Sequence, residues 1–389
     1  RSLVGSEMCI RDSAKALPDT FYIDGALTDL KIAAMPFLSV AQPRQGSMAA
    51  DNAVADKSGN VTLTLLGVVP IKTVRAVSTP RRTVQVCGTP FGVKMFSDGA
   101  LIVAFSDRYT ALGSENPAKA AGLRLGDWIV SAGGRPVRSN DDLTAAIQAA
   151  DGAPLTVVYR RDGVQHTAAL TPAQDEKGRY KAGVWVRDSG AGIGTMSFVD
   201  AQHGTFAGLG HSISDTDTGT ELTLLSGEIV PVTITGCIRG AAGSPGELRG
   251  EFSAKAVGRV LANDAAGVYG SYTGGTIGQA VPVANVQEVT PGEAELWTTV
   301  QGTTAQPYKV RIERVTMTGS DPNRNLLIKV TDERLLEKTG GIVQGMSGSP
   351  IVQNGQLAAV LTHVLVNDPA KGYAIFAATM LEKADAVIK

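Results

Sequence analysis

From about Tyr180 to its end the chain is a succession of short runs that favour β structure, separated by glycine-rich turns: AGVWVRD, GIGTMSFVD, ELTLLSGEIVPVTITGC, VGRVLAND, AGVYGSY, PYKVRIERVTM, NLLIKVTD, QLAAVLTHVLV and GYAIF. Only the tail, ATMLEKADAVIK, reads as a helix. About ten short strands in roughly 200 residues predict a closed or sandwiched β architecture, and a double β-barrel fits that length. Glycine, at 45 of 389 residues, supplies the turns. The chain therefore reads as mainly β.

The upstream part divides differently. Residues 14–60 are rich in Pro, Ala, Ser, Gly and Asn and read as an irregular linker. Residues 61–82, VTLTLLGVVPIKTVRAVS and its flanks, read as a strand segment. Residues 83–172 then alternate strand, loop, short helix, strand, helix and hairpin. Asn140 or Asp141 is placed to cap a helix whose Leu143, Ala146 and Ile147 share one face. Arg161-Asp162-Gly163 supplies a hairpin turn.

Balanced charge, 36 basic against 37 acidic residues, gives no global field for nucleic acid or an anionic membrane. No window has the roughly 18 uninterrupted apolar residues of a membrane span. Leu3 to Asp12 resembles a translated sequencing adaptor, so residues 1–13 are expected to be an artefact, and an N-terminal signal or membrane anchor is expected to be missing with the true start. Cys87 and Cys237, one in each half, form no disulfide framework or metal-ligand spacing and are expected to behave as buried apolar residues. No metal or organic cofactor is expected.

Gly345-Met346-Ser347-Gly348-Ser349-Pro350 lies between two short apolar runs near the C-terminus. Acyl transfer by serine needs a hydroxyl on a tight turn, an imidazole to take its proton, and backbone N–H groups aimed at the oxyanion. Of the four histidines, His166 sits on the hairpin and reads as solvent-facing. His211, in Gly208-Leu209-Gly210-His211-Ser212, is flanked by small residues that leave an imidazole accessible. Ser347 with His211 is the leading pair, and Ser349 is the rival hydroxyl.

Three resemblances sharpen these readings. Pro117-Ala118-Lys119-Ala120-Ala121-Gly122-Leu123 followed by Leu125-Gly126-Asp127 resembles the helix-turn-strand signature of bacterial PDZ domains. This implies peptide binding at a sheet edge, with Phe91, Gly92 and Val93 as the candidate edge loop. Gly-x-Ser-Gly-x-Pro resembles the nucleophile loop of chymotrypsin-like proteases, which implies an oxyanion hole from the N–H groups of Gly345 and Ser347. Phe206 to His211, Ser214 to Thr218, Thr339 to Val352, Leu361 to Pro369 and Val184 to Ser189 together resemble the SpoIVB peptidase family, whose peptidase domain would span 180–389.

That resemblance implies a regulatory serine endopeptidase of spore-forming bacteria. It would act between the forespore and mother-cell membranes and cleave a protein partner that restrains a membrane-embedded protease, leading to sigma-factor activation. It also implies Asp332 as the acid of the triad, although Asp332 is equally well placed to cap the helix ERLLEK; Asp264 is the rival acid. His363 follows the nucleophile loop on a strand that would line the specificity pocket, or is a core histidine bonded to backbone. A carboxylate beside His211 predicts an activity inflection near or above the reference value of about 6.5. The alternatives are an inactive PDZ and peptidase-like scaffold, and a stress protease of the HtrA type, in which the PDZ domain would usually follow the protease.

Overall fold

A computed structural model describes residues 15–41, 58–110 and 113–388, and within them the chain's many short β runs pair into five sheets. The adaptor-like residues 1–13 lie outside that range. The N-terminal strands β1 (Thr20–Ile23), β2 (Leu38–Val40), β3 (Ser58–Leu65) and β4 (Val69–Ser78) form one sheet in the order β1-β4-β3-β2. Phe21, Leu30, Ile32 and Leu63 are its buried core. Over residues 15–41 and 58–60 this corrects the expectation of an irregular linker over 14–60, of which residues 14 and 42–57 lie outside the described residues. β1 and β2 have four and three residues, too few to show an alternating pattern, and their order comes from pairing with the β3–β4 hairpin. Hydrogen bonds between Gln287 and the backbone of Tyr22 and Ala33 tie the sheet to the rest of the chain.

β5 (Thr83–Phe105) is a single strand of 23 residues with two roles. Its C-terminal end joins a PDZ-type unit built from α1 (Pro117–Ala120), β6 (Trp128–Ala132), α2 (Asn140–Ala149), β7 (Leu155–Arg161) and β8 (Val164–Leu170). Leu143, Ala146 and Ile147 of α2 are buried as their spacing requires. The cap is Ser139, one residue before the expected pair, whose side chain accepts from the Asp142 N–H. Asp162 and Gly163, both at positive φ, turn the β7–β8 hairpin. The Asp of the Leu-Gly-Asp signature, Asp127, is buried and takes two hydrogen bonds of 2.7 Å from the Arg161 guanidinium, so its charge is compensated inside the unit.

The N-terminal part of β5 belongs to a closed ring with β9 (Val184–Asp200), β10 (Thr205–Gly208), β11 (Leu224–Ile238), β12 (Gly258–Asp264) and β13 (Gly267–Tyr272). The ring runs β5-β9-β10-β13-β12-β11 and closes through pairing of β11 with β5. Phe91 and Phe206 meet edge to face in its core, centroids 5.9 Å apart. The PDZ-type unit is thus inserted between the first two strands of this barrel, which corrects the boundary drawn at residue 83. One continuous strand gives no sequence mark where its partners change.

A second closed barrel contains β14 (Gly292–Thr298), β15 (Gln306–Val315), β16 (Leu326–Val330), β17 (Pro350–Gln353), β18 (Gln356–Leu365) and β19 (Asp368–Phe376), with α3 (Glu333–Thr339) before β17. Leu296, Val310, Ile328 and Ile351 fill it. The C-terminal α4 (Ala377–Ile388) places Met380 and Ala384 against Tyr269 of the first barrel and Val360 of the second. The architecture is a double β-barrel with a PDZ domain, and the loops carrying His211 and Ser347 come from different barrels.

Candidate active site

α3 ends at Gly340 in the left-handed conformation, and the chain returns to β17 through the Gly341–Ser349 loop. Two 3.0–3.1 Å bonds, Met346 N–H to Val343 O and Ser349 N–H to Met346 O, tighten it into consecutive turns. Among the described residues, the N–H groups of Gly345 and Ser347 donate to no protein acceptor, whereas Gly348 N–H donates to Leu361 O. Two unengaged donors flanking one hydroxyl are what an oxyanion requires. Ser347 is half-buried and its Oγ donates to Thr362 O at 2.7 Å. Ser349 is fully buried and its Oγ is occupied by Met346 O and Thr298 Oγ1.

The loop docks on β9 of the first barrel. Thr195 N–H donates to Ser347 O at 2.9 Å and Thr195 Oγ1 to Gly345 O at 2.8 Å. Gly348 has φ +98°, and a Cβ there would stand 1.9 Å from Thr195 O and 2.6 Å from Leu209 N. Only glycine permits this approach, which sets the residue after Ser347 against the residue two before His211.

His211 follows β10, its Nδ1 2.7 Å from Ser212 O. A carbonyl only accepts, so Nδ1 carries the proton and Nε2 is left with its lone pair. Burial pushes the imidazole pKa below its ordinary value, against the opposing effect of the Ser212 bond. The His211 and His363 rings lie 4.8 Å apart. Desolvation, then repulsion from His211 and Arg324, also lowers His363. A cleft of about 510 Å³ opens beside His211, walled by Ser189–Gly194 of β9 and by Ser212–Thr216. No hydrogen bond joins Ser347 to His211 among the described residues; Ser347 Oγ would turn from Thr362 O to reach an imidazole.

The expected acids are elsewhere. Asp332 caps α3, accepting from Arg334 N–H, Lys309 N–H and the Arg334 guanidinium. Led by the Arg334 side chain, these bonds hold its carboxyl at about 2. Asp264 accepts from Ala266 N–H and pairs with Lys383. Neither touches His211, which corrects the triad expected from sequence: a helix cap and a catalytic carboxylate are the same letter in the same kind of strand-to-helix junction.

Phe91, Gly92 and Val93 are also displaced from their expected role. They lie inside the first barrel, with β9 on one edge and β11 on the other, so no peptide can add there. The open edge is at the start of β9, where Val184–Val186 pair with β5 on one side and with no described strand on the other. Across a groove of about 670 Å³ stand Leu143 and Ile147 of α2. The preceding loop is fixed by Asn116 Nδ2 donating to Gly183 O at 2.7 Å. The sequence signal was present in Lys181-Ala182-Gly183-Val184, a glycine-bearing turn entering a strand, but it follows the hairpin instead of preceding the signature helix.

His166 is exposed and stacks on Tyr159, as its hairpin position suggests. Cys87 is buried, its thiol pushed up by desolvation, and Cys237 is half-buried; both are free. Asp200, His203 and Asp385 bring possible metal-ligand atoms within 4.8 Å of one another. The Arg82 guanidinium already bonds both carboxylates, so the cluster is an ion-pair network whose charge is met.

A family model described as SpoIVB peptidase S55 matches residues 178–381, and a PDZ-domain model matches 108–161. Over 95 residues the chain is 33% identical to a Neisseria meningitidis protein that bears the name of a zinc metalloprotease, covering 23% of this chain and 21% of that one; the chain thus spans about a fifth of that curated relative's length. Among solved structures, the PDZ domain of an SdrC-like protein of Listeria monocytogenes covers 23% of this chain and 87% of its own, with 21% identity and a TM-score of 0.20. The active form of a Mycobacterium tuberculosis protease covers 51% and 74%, with 16% identity and a TM-score of 0.32. An HtrA-type protease bound to a decapeptide covers 55% and 58%, with 11% identity and a TM-score of 0.31. Since the peptidase family model spans more than half of its length, the chain belongs to the SpoIVB peptidase family S55 and is a serine peptidase carrying a PDZ domain.

Proposed function

We propose that Ser347 is the nucleophile and His211 the base of a regulatory endopeptidase that cleaves a protein partner in sporulation signalling. The observation that carries the catalytic part is the Gly345–Gly348 turn, which presents one half-buried hydroxyl between two unengaged N–H donors and is docked against the backbone leading to His211. In the reaction, His211 Nε2 takes the Ser347 proton as Oγ attacks the scissile carbonyl. The N–H groups of Gly345 and Ser347 then receive the oxyanion, and His211 returns the proton to the leaving amine. Ser212 O fixes the tautomer, a task given to a carboxylate in the Ser-His-Asp arrangement, but it brings no negative charge to stabilise the imidazolium.

The signalling part rests on family membership. The substrate would be a regulator of a membrane-embedded protease, met between the forespore and mother-cell membranes, and the groove beside Val184–Val186 would hold a peptide of the partner or of the chain itself. No described helix is long and apolar enough to cross a membrane.

A serine-directed fluorophosphonate tests the assignment. Stoichiometric labelling at Ser347, lost in Ser347→Ala and in His211→Ala and retained in Ser349→Ala, is the expected result; labelling at Ser349 would sink it. The second reading, a scaffold without activity, is favoured by the Ser347 hydroxyl being bonded to Thr362 O. It predicts a folded protein that is not labelled at all.

A further inference from the structure

The loop that carries His211 is organised around a buried carboxylate. Asp215 has a fully buried side chain, and its Oδ1 accepts from Asp217 N–H, Thr218 N–H and Thr218 Oγ1. Its backbone closes the same turn, N–H to Thr220 O and O from Gly219 N–H. The remaining oxygen, Oδ2, is taken by the Arg187 guanidinium, which also reaches Asp217 at 2.8 Å. A second anchor is Asn263 of β12, whose side chain holds both backbone groups of Ile213. Arg187 thus supplies the cation for a carboxylate four residues from the imidazole.

Its position on β9 is equally specific. Arg187 pairs in register with Leu101, and the strand is irregular immediately afterwards, between Arg187 and Ser189. The intervening Asp188 accepts from Asn140 N–H at the start of α2. One residue before Arg187 ends the open edge Val184–Val186; Arg187 itself lines the cleft beside His211, and the wall continues at Ser189–Gly194.

We infer that Arg187 is a positioning residue: it sets the place of the His211 imbedding loop from the strand that also forms the open edge of the PDZ groove. The inference rests on the reading of His211 as the base. With Arg187 removed, Asp215 keeps its turn but loses its tether to β9, and the imidazole shifts relative to Ser347. A displacement of about 1 Å is enough to cost roughly 100-fold in rate. Lysine keeps the charge but cannot serve two carboxylates through one planar fork.

The test uses the full chain. Imidazole resonances of the four histidines are recorded by NMR in the parent, Arg187→Gln and Arg187→Lys, together with the rate of fluorophosphonate labelling. In Arg187→Gln the His211 resonances are expected to move while those of His166, on the far hairpin, stay. Labelling should slow by about 10- to 100-fold, and Arg187→Lys should recover most of it with a smaller shift of the same sign. A folded Arg187→Gln with the parent's His211 resonances overturns the inference. Should that variant not fold, His211 resonances in Arg187→Lys that coincide with the parent's overturn it instead. A parent that is never labelled, together with a His211 shift in Arg187→Gln, would uphold the positioning role and sink the peptidase assignment, so the two failures are distinct.

Discussion

The two ends of β9 are the same strand in two different situations. At its barrel end, Ile193 and Gly194 pair with β5, wall the cleft and lead into Thr195, which grips the nucleophile loop. At its PDZ end, Val184–Val186 keep one edge unpaired and Trp185 is 65% exposed. From Met196 onward the barrel end is paired with β5 on one edge and β10 on the other, while the PDZ end waits for a partner strand. Specific chemistry needs the first condition and recognition of variable peptides needs the second, and a continuous backbone lets one segment serve both.

The largest test of this contrast is excision. Removing residues 83–172, the span that sequence alone assigns to the PDZ domain, takes away a ring strand of the first barrel, and the expected product is an unfolded chain without labelling at Ser347. Because Val184 pairs with Phe105, the same unit can instead be cut out after Phe105 and closed to Val184 with a two-residue Asn-Gly turn. That variant should fold, as read by circular dichroism, and be labelled. Equal behaviour of the two deletions would break the distinction between the ends.

The second test is pH. Burial lowers the His211 pKa and no carboxylate raises it, so the neutral base survives below the ordinary value of about 6.5. The labelling rate should be level from pH 8 to about 6.5 and fall about tenfold per unit once pH passes below the lowered value. The short-turn variant should give the same profile if the PDZ end contributes nothing to the imidazole. An inflection above 6.5 would reveal a carboxylate approaching His211 in solution.

A smaller effect separates the ends by stability. Gly348→Ala forces a Cβ against Thr195 O at the barrel end, and a loss of about 1–3 kcal/mol in denaturant unfolding is expected. Trp185→Ala, on the open end, should stay within about 0.5 kcal/mol. Comparable losses at both sites would mean that the edge is not free.

The sequence made some of this legible through local pattern. The signature Pro117–Asp127, the α2 face, the hairpin turn and Gly-Met-Ser-Gly-Ser-Pro each need only neighbouring residues to be read. What escaped depends on distant partners. Phe91-Gly92-Val93 looks like a strand entry whether its edges are open or doubly paired, and only the returning β9 and β11 decide. The strands at Thr20–Ile23 and Leu38–Val40 carry too little pattern to be seen without β3 and β4. Arg187 and Asp215 lie 28 residues apart, and nothing local marks them as a pair.

The last and smallest prediction concerns Asp332, which sequence could read either as an acid of the site or as a cap. Its carboxylate bonds Arg334 N–H, Lys309 N–H and the Arg334 guanidinium, all on the side of the second barrel where α3 begins. Loss of such a cap costs about 0.5–2 kcal/mol. Since the native carboxyl is held at about 2, below the unfolded value of about 3.9, its contribution is present above pH 4 and fades as pH falls towards 2. Asp332→Asn should therefore lower unfolding stability at neutral pH, and the difference from the parent should shrink in acid. Labelling of Ser347 should stay within a few-fold of the parent, because the side chain does not touch His211. A loss of roughly 10⁴-fold, the scale seen when a triad carboxylate becomes an amide, would place Asp332 beside the imidazole in the working enzyme and would mean that the α3 cap opens during catalysis.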